Sequence, residues 1–298
     1  MKRPISALLA LILATGLIAG ACARTGDGDG KPLVAVSILP LAEFVSQIGG
    51  DRLAVMVMVP AGADPHGYEP KPSQMTALSQ AIMYVKTGAG LEFELAYMDK
   101  IIAINPAMPV VDCAQGISLL EGEAHNDGDE GAGQEEELTN PHIWLSPRLA
   151  QHMVTNICAG LVQTDPANGA YYEQNRDIYL AELVQLDADI AAGLAVVQNR
   201  RFLVVHPAWD YFARDYNLQQ IVVEVDGKEP SALSLARLVD AARMYNIDVV
   251  FTSPQFSSAS AEAIARAISG RVVSIDTLAE DYINNMRYML AQLKLAME

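Results

Sequence analysis

Three separated histidines stand in closely related settings: Asp64-Pro65-His66, Asn140-Pro141-His142 and Val205-His206-Pro207. A fourth candidate, Asp276, follows the strand-like run Val272-Val273-Ser274-Ile275. Three imidazole nitrogens and one carboxylate oxygen suit a borderline-soft divalent ion such as zinc, which takes four ligands in a tetrahedron. Each histidine ends an apolar or turn-forming stretch, the place where α/β sheets present binding residues. Taken singly, a histidine beside a proline is an ordinary turn residue with a satisfied ring nitrogen, and it is the joint pattern that points to a metal. The other two histidines lack that setting, since His152 lies in a helical run over 147–162 and His125 in an acidic loop.

The elements that must position these residues fall into two similar halves. In the first, β-branched runs at 33–38, 53–59, 82–85 and 110–111 alternate with helical stretches near 41–48, 73–79 and 91–104. In the second, runs at 202–205, 221–225, 249–251 and 272–275 alternate with helices near 209–216, 231–245, 258–268 and 280–296. Such alternation predicts parallel sheets with helices on their faces, hence an α/β protein of two βα lobes, each with a parallel four-stranded sheet. Between the lobes a helical pattern opens at Asp165-Pro166 and runs to about Val197, with Tyr172, Tyr179, Leu183, Leu186 and Ile190 at helical spacing. About 30 residues give a rod of roughly 45 Å, which should restrict hinge motion between the lobes. The expected division is a leader at 1–21, a tether at 23–31, an N-terminal metal-binding lobe at 32–147, connecting helices at 148–198 and a C-terminal metal-binding lobe at 199–298, with the metal in the cleft between lobes.

The leader has Lys2 and Arg3 followed by an uncharged apolar run over 5–18, the form of a secretory signal. Ala19-Gly20-Ala21-Cys22 is similar to a lipobox, which would make Cys22 a lipid-bearing first residue of an exported protein, periplasmic or at the cell surface and anchored to a membrane. An ordinary cleaved signal releasing a soluble protein is the alternative. The polar run 25–30 that follows reads as a flexible tether. Loss of the leader takes the net charge from −16 to about −18, a balance that repels nucleic acid and anionic lipid and points to no nucleic-acid partner. Cys113 and Cys158 are the remaining cysteines, too few for a disulfide framework or a thiolate metal site, and sequence leaves open whether they pair. The segment 121–137 is dominated by Glu, Asp and Gly and reads as a mobile acidic loop at the rim of the proposed site, either a weak cation trap or simply solvated.

The segments Gly62-Ala63-Asp64-Pro65-His66-Gly67-Tyr68-Glu69-Pro70-Lys71-Pro72-Ser73 and Asn140-Pro141-His142-Ile143-Trp144-Leu145-Ser146-Pro147 carry a resemblance. So do Asp165-Pro166-Ala167-Asn168, Tyr172-Glu173-Gln174-Asn175 and Gly227-Lys228-Glu229-Pro230-Ser231. Over nearly the whole mature chain they resemble the solute-binding proteins of bacterial zinc and manganese ABC importers. The resemblance implies His66, His142, His206 and Asp276 as ligands, a cognate ABC permease in the cytoplasmic membrane as partner, and a monomer. Asn140 and Ser146 stand where that family commonly has Asp, Ser253 where an acidic residue is frequent, and Thr277-Leu278-Ala279 where Pro-Leu-Gly is usual. In the family a histidine at the third ligand position goes with zinc and a glutamate with manganese, so His206 favours zinc, with manganese the alternative. The function expected is capture and not catalysis. A zinc hydrolase is the competing reading: it would keep a coordination position open for water beside a general base, and Glu69 and Glu224 are the nearest candidates for that base. An adhesin role has no support in these residues.

Overall fold

The computed structural model describes residues 30–122, 139–224 and 228–297. The leader, Cys22 and most of the tether lie outside the described residues, as does the acidic loop beyond Gly122, with His125. The chain runs β1 (Leu33–Val36), α1 (Leu39–Gly49), β2 (Ala54–Val57), α2 (Pro72–Ala77), β3 (Ala81–Lys86), α3 (Glu92–Ile104) and β4 (Val110–Asp112). These strands form a parallel sheet in the order β2-β1-β3-β4. All four residues of β1 are buried, as expected of an apolar β-branched strand with a neighbour on each side. Prolines at the starts of α1 and α2 supply the fixed φ and spare the N–H that a first turn leaves unpaired.

The second half repeats the plan with β5 (Arg201–Val204), α6 (Asp210–Asp215), β6 (Gln219–Val222), α7 (Ala232–Met244), β7 (Val249–Thr252), α8 (Ala259–Ile268), β8 (Arg271–Ser274) and α9 (Tyr282–Met297), numbering α4 and α5 below. Its strands are again parallel, in the order β6-β5-β7-β8. In both sheets the chain first moves one way from the inner strand and then crosses to the other side. Loops leaving the carboxyl ends of β1 and β3, or of β5 and β7, therefore diverge and leave a crevice at each switch point.

Two helices lie between the sheets: α4 (Pro147–Thr164), capped by the Ser146 hydroxyl accepting from Leu149 N–H, and α5 (Gly169–Ala195). The sequence pattern places the start of the long helix at Asp165-Pro166; those residues instead form a single 3₁₀ turn that reverses the chain between α4 and α5. At 27 residues α5 spans about 40 Å. Its expected stripe of Tyr172, Tyr179, Leu183, Leu186 and Ile190 is buried throughout, against α1, α4 and α9.

One apolar core runs from Val34 and Phe44 through Tyr179 and Leu186 to Phe251, Met286 and Leu293, so both lobes share it and α5 is its spine. A second, smaller core lies under α7 and α8. Strand β5 divides its residues between the two by alternation, Phe202 and Val204 facing the shared core and Leu203 and the following Val205 the smaller one. Among the described residues no helix is long and apolar enough to cross a membrane.

Candidate metal centre

Each histidine reaches the cleft from a loop at the carboxyl end of a parallel sheet or from the crossing between lobes. His66 lies in the loop from β2 to α2, where the Asp64 carboxylate accepts from its backbone N–H at 2.9 Å. His206 comes two residues after β5. His142 opens a short 3₁₀ turn, Ile143–Leu145, that leads into α4, and Asn140 Oδ1 accepts from its backbone N–H at 3.0 Å. The three rings meet with centroids 4.9 to 5.4 Å apart, and one ligand nitrogen from each falls in a cluster no wider than 4.8 Å. His142 is 5% exposed, so the centre sits at the floor of the cleft.

The far nitrogens decide what the near ones can do. His66 Nδ1 meets Glu92 Oε2 at 2.6 Å, His206 Nδ1 meets Glu224 Oε2 at 2.9 Å, and His142 Nδ1 meets Asn140 Oδ1 at 3.0 Å. The Asn140 orientation is fixed by its other end, since Nδ2 donates to Asp210 Oδ2 at 2.8 Å. All three partners are acceptors, so a neutral ring carries its proton on Nδ1 and turns an Nε2 lone pair inward. In that tautomer His142 Nε2 and His206 Nε2, 3.3 Å apart, would turn lone pairs toward one another. Two nitrogens bound to one tetrahedral zinc at 2.0–2.1 Å would lie about 3.3 Å apart, so this spacing could accommodate such an ion.

The electrostatics agree. Asp64, Glu92, Asp210 and Glu224 line the cavity with the three histidines, and that concentration of carboxylates favours a cation. Burial disfavours charge on His66, but the hydrogen bond and charge of Glu92, with Asp64 and Glu224 behind it, outweigh burial and raise its pKa above the ordinary value. Burial, together with the two neighbouring imidazoles, holds His142 well below the ordinary value, so this ring is neutral and ready to ligate.

Glu92 owes its place to a turn. Thr87-Gly88-Ala89-Gly90 links β3 to α3, and the Glu94 carboxylate, two residues beyond Glu92, accepts from Thr87 N–H at 2.6 Å, Thr87 Oγ1 at 2.7 Å and Gly88 N–H at 3.0 Å. Gly90 has φ +86°, and a Cβ there would stand 2.7 Å from Thr139 Oγ1. A residue with a side chain would be strained at this φ and would crowd Thr139 beside the helix start that carries Glu92.

Asp276 is not brought into the centre. Its Oδ1 accepts from Gln255 Nε2 at 2.7 Å and from Leu278 N–H at 2.9 Å, and the residue does not line the cavity. The aspartate falls at the strand end as expected, but the turn after β8 uses its carboxylate to satisfy local donors. A shell of three imidazoles leaves a coordination position over, so ligand number alone does not separate capture from hydrolysis. Neither residue expected as a general base is placed to serve as one, because Glu69 is exposed and outside the cavity lining, and Glu224 is engaged with His206. His152 lies on α4, away from the cavity lining. Glu92 and Asp210 escape a reading of the sequence, because nothing in their immediate neighbours marks them as partners of residues so distant along the chain.

The family described as zinc-uptake complex component A, periplasmic, matches residues 34–296. The chain belongs to this family. It is 32% identical over 280 residues to the high-affinity zinc uptake system protein ZnuA of Bacillus subtilis strain 168, covering 91% of this chain and 88% of that one. Its fold is similar to a crystal structure of ZnuA with a TM-score of 0.83 at 43% identity, covering 90% of this chain and 100% of that one. A deletion mutant of ZnuA with zinc bound gives 0.82 at 42% identity, covering 90% and 98%. Members of the family are the solute-binding components of metal ABC importers, so this chain is a transport protein and not an enzyme, with a membrane permease as its partner.

Proposed function

We propose that this protein captures zinc outside the cytoplasmic membrane with His66, His142 and His206 as the ligands and passes it to its permease. One observation carries the reading: a ring nitrogen from each of the three histidines falls in one cluster no wider than 4.8 Å while every Nδ1 meets an oxygen acceptor. Nitrogen donors select zinc over manganese, which accepts oxygen-rich and higher-coordinate sites. A shell of three protein ligands also suits a cargo, since an ion that must be released is held by fewer bonds than a structural zinc with four.

On the residues of the leader we further propose export with a lipid anchor at Cys22, and on the family likeness and the strand-helix pattern a monomeric mature protein with lobes at 32–147 and 199–298 joined by helices at 148–198. Intact mass of protein extracted from membranes tests the anchor, since acylation adds the mass of the lipid to a chain beginning at Cys22.

The function is tested by metal analysis of protein purified without added metal, followed by competition between zinc and manganese. Zinc should be the ion found and should displace manganese. Preferential retention of manganese, or undiminished zinc binding in His142→Ala, contradicts the proposal.

A further inference from the structure

The turn after β7 crosses the cleft beside the centre. Phe256 lines the cavity and stacks on His206, ring centroids 4.2 Å apart and planes inclined by 20°, with His66 6.5 Å away. His206 is thereby held twice, at its Nδ1 by Glu224 and on its face by Phe256. The ring is held in plane and in rotation by groups other than the ion, so binding costs it little conformational freedom.

Phe256 itself is held by a turn whose hydrogen bonds run to the segment after β8. Its N–H donates to Ser253 O at 3.1 Å, closing the turn Ser253-Pro254-Gln255-Phe256. The Ser253 hydroxyl bonds to Gln255 Oε1, lies 3.1 Å from Thr277 Oγ1 and accepts from Thr277 N–H at 3.3 Å. Gln255 Nε2 donates to Asp276 Oδ1, and the same oxygen takes Leu278 N–H. The turn carrying Phe256 is thus sewn to the turn after β8, and Asp276 is the anchor of the seam.

We propose that Phe256 is a positioning residue for zinc capture, a plate that orients His206 and shields one side of the ion, and that Asp276 acts through Gln255 to hold this plate in place. The proposal rests on the three-histidine reading above. It reassigns the one acidic residue expected to ligate: Asp276 affects zinc by bracing the 253–256 turn. Ser253 fits the same scheme, since its hydroxyl can both donate to Gln255 and accept from Thr277, which a carboxylate in its place could not.

The test is zinc release from the loaded full-length chain into an excess of a fast chelator, followed by stopped flow. Phe256→Ala should release zinc about three- to tenfold faster, the equivalent of one aromatic pair contact, and Phe256→Tyr should restore the slow rate because it keeps the ring. Gln255→Ala and Asp276→Ala should each speed release, and the double variant should be no faster than the quicker single, since both cut the same seam. The cobalt-substituted protein adds a signature: Asp276→Asn should leave the visible d–d bands in place, because the ligands are unchanged. The proposal is overturned if Phe256→Ala releases zinc at the wild-type rate, or if Phe256→Tyr fails to restore it. It is equally overturned if Asp276→Asn shifts the cobalt bands while Gln255→Ala does not, which would make Asp276 a ligand. His206→Ala run alongside separates the two readings. Loss of zinc there with no effect at Phe256 sinks only the plate, whereas undiminished binding there sinks the three-histidine site itself.

Discussion

His66, His142 and His206 offer a metal the same atom and differ in what grips the nitrogen behind it: a carboxylate for His66 and His206, an amide for His142. A carboxylate on Nδ1 makes the opposite nitrogen a stronger donor and fixes the ring, and loss of such a partner typically costs about 10- to 100-fold in metal affinity. Glu92→Gln should therefore weaken zinc about tenfold by calorimetric titration while the fold is retained, since an amide keeps the hydrogen bond and drops the charge. The same residue sets the pH response. Zinc needs the neutral ring, and Glu92 raises the pKa of His66, so affinity should begin to fall while pH is still above about 6.5. His142, held low, adds no proton competition until the medium is well below that. Removing the charge at Glu92 should move the onset to lower pH, and an onset that stays put would show that His66 is not the group titrating. At this scale the three histidines are legible because each sits beside a proline at an element's end. Glu92 is not, because it meets His66 from 26 positions away, and nor are the bonds by which Asp276 Oδ1 takes Gln255 and Leu278.

The elements are legible where pattern and burial coincide. All four strands of each sheet fall within three residues of the β-branched runs, and every residue of the expected α5 stripe is buried. The departures lie where local chemistry outweighs periodicity: the 3₁₀ turn at Pro166–Asn168, and α2, which stops at Ala77 and passes into a 3₁₀ turn through Gln80. The turn ahead of α3 is the element on which the site leans most. Gly90→Ala places a side chain at positive φ and against Thr139, a strain of about 1–2 kcal/mol. It should lower the unfolding free energy by about that amount in urea melts and weaken zinc as well, by drawing Glu92 from His66. Loss of stability with undiminished zinc affinity would detach this turn from the site.

For the whole molecule, loops from both sheets meet around the three histidines, and both lobes share the core along α5. Polar ties across the cleft hold the same arrangement: Tyr211 Oη donates to Asn140 O and accepts from Leu120 N–H, each at 2.9 Å, and Trp144 Nε1 donates to Thr277 O at 2.8 Å. The halves and the rod can be read from sequence but not these ties, which join residues far apart in the chain. A site assembled from both lobes exists only in the folded protein, so zinc should stabilise it by RT ln(1 + [L]/Kd), about 4 kcal/mol at a thousandfold excess over Kd. The melting temperature should rise with zinc and not with calcium, which prefers six to eight oxygen ligands. Zinc K-edge X-ray absorption on the loaded protein tests the central claim most directly, because it counts the ligands around the ion. Three imidazoles with Zn–N distances of about 2.0–2.1 Å are predicted. A shell with one imidazole or none, dominated by carboxylate oxygen, would contradict it.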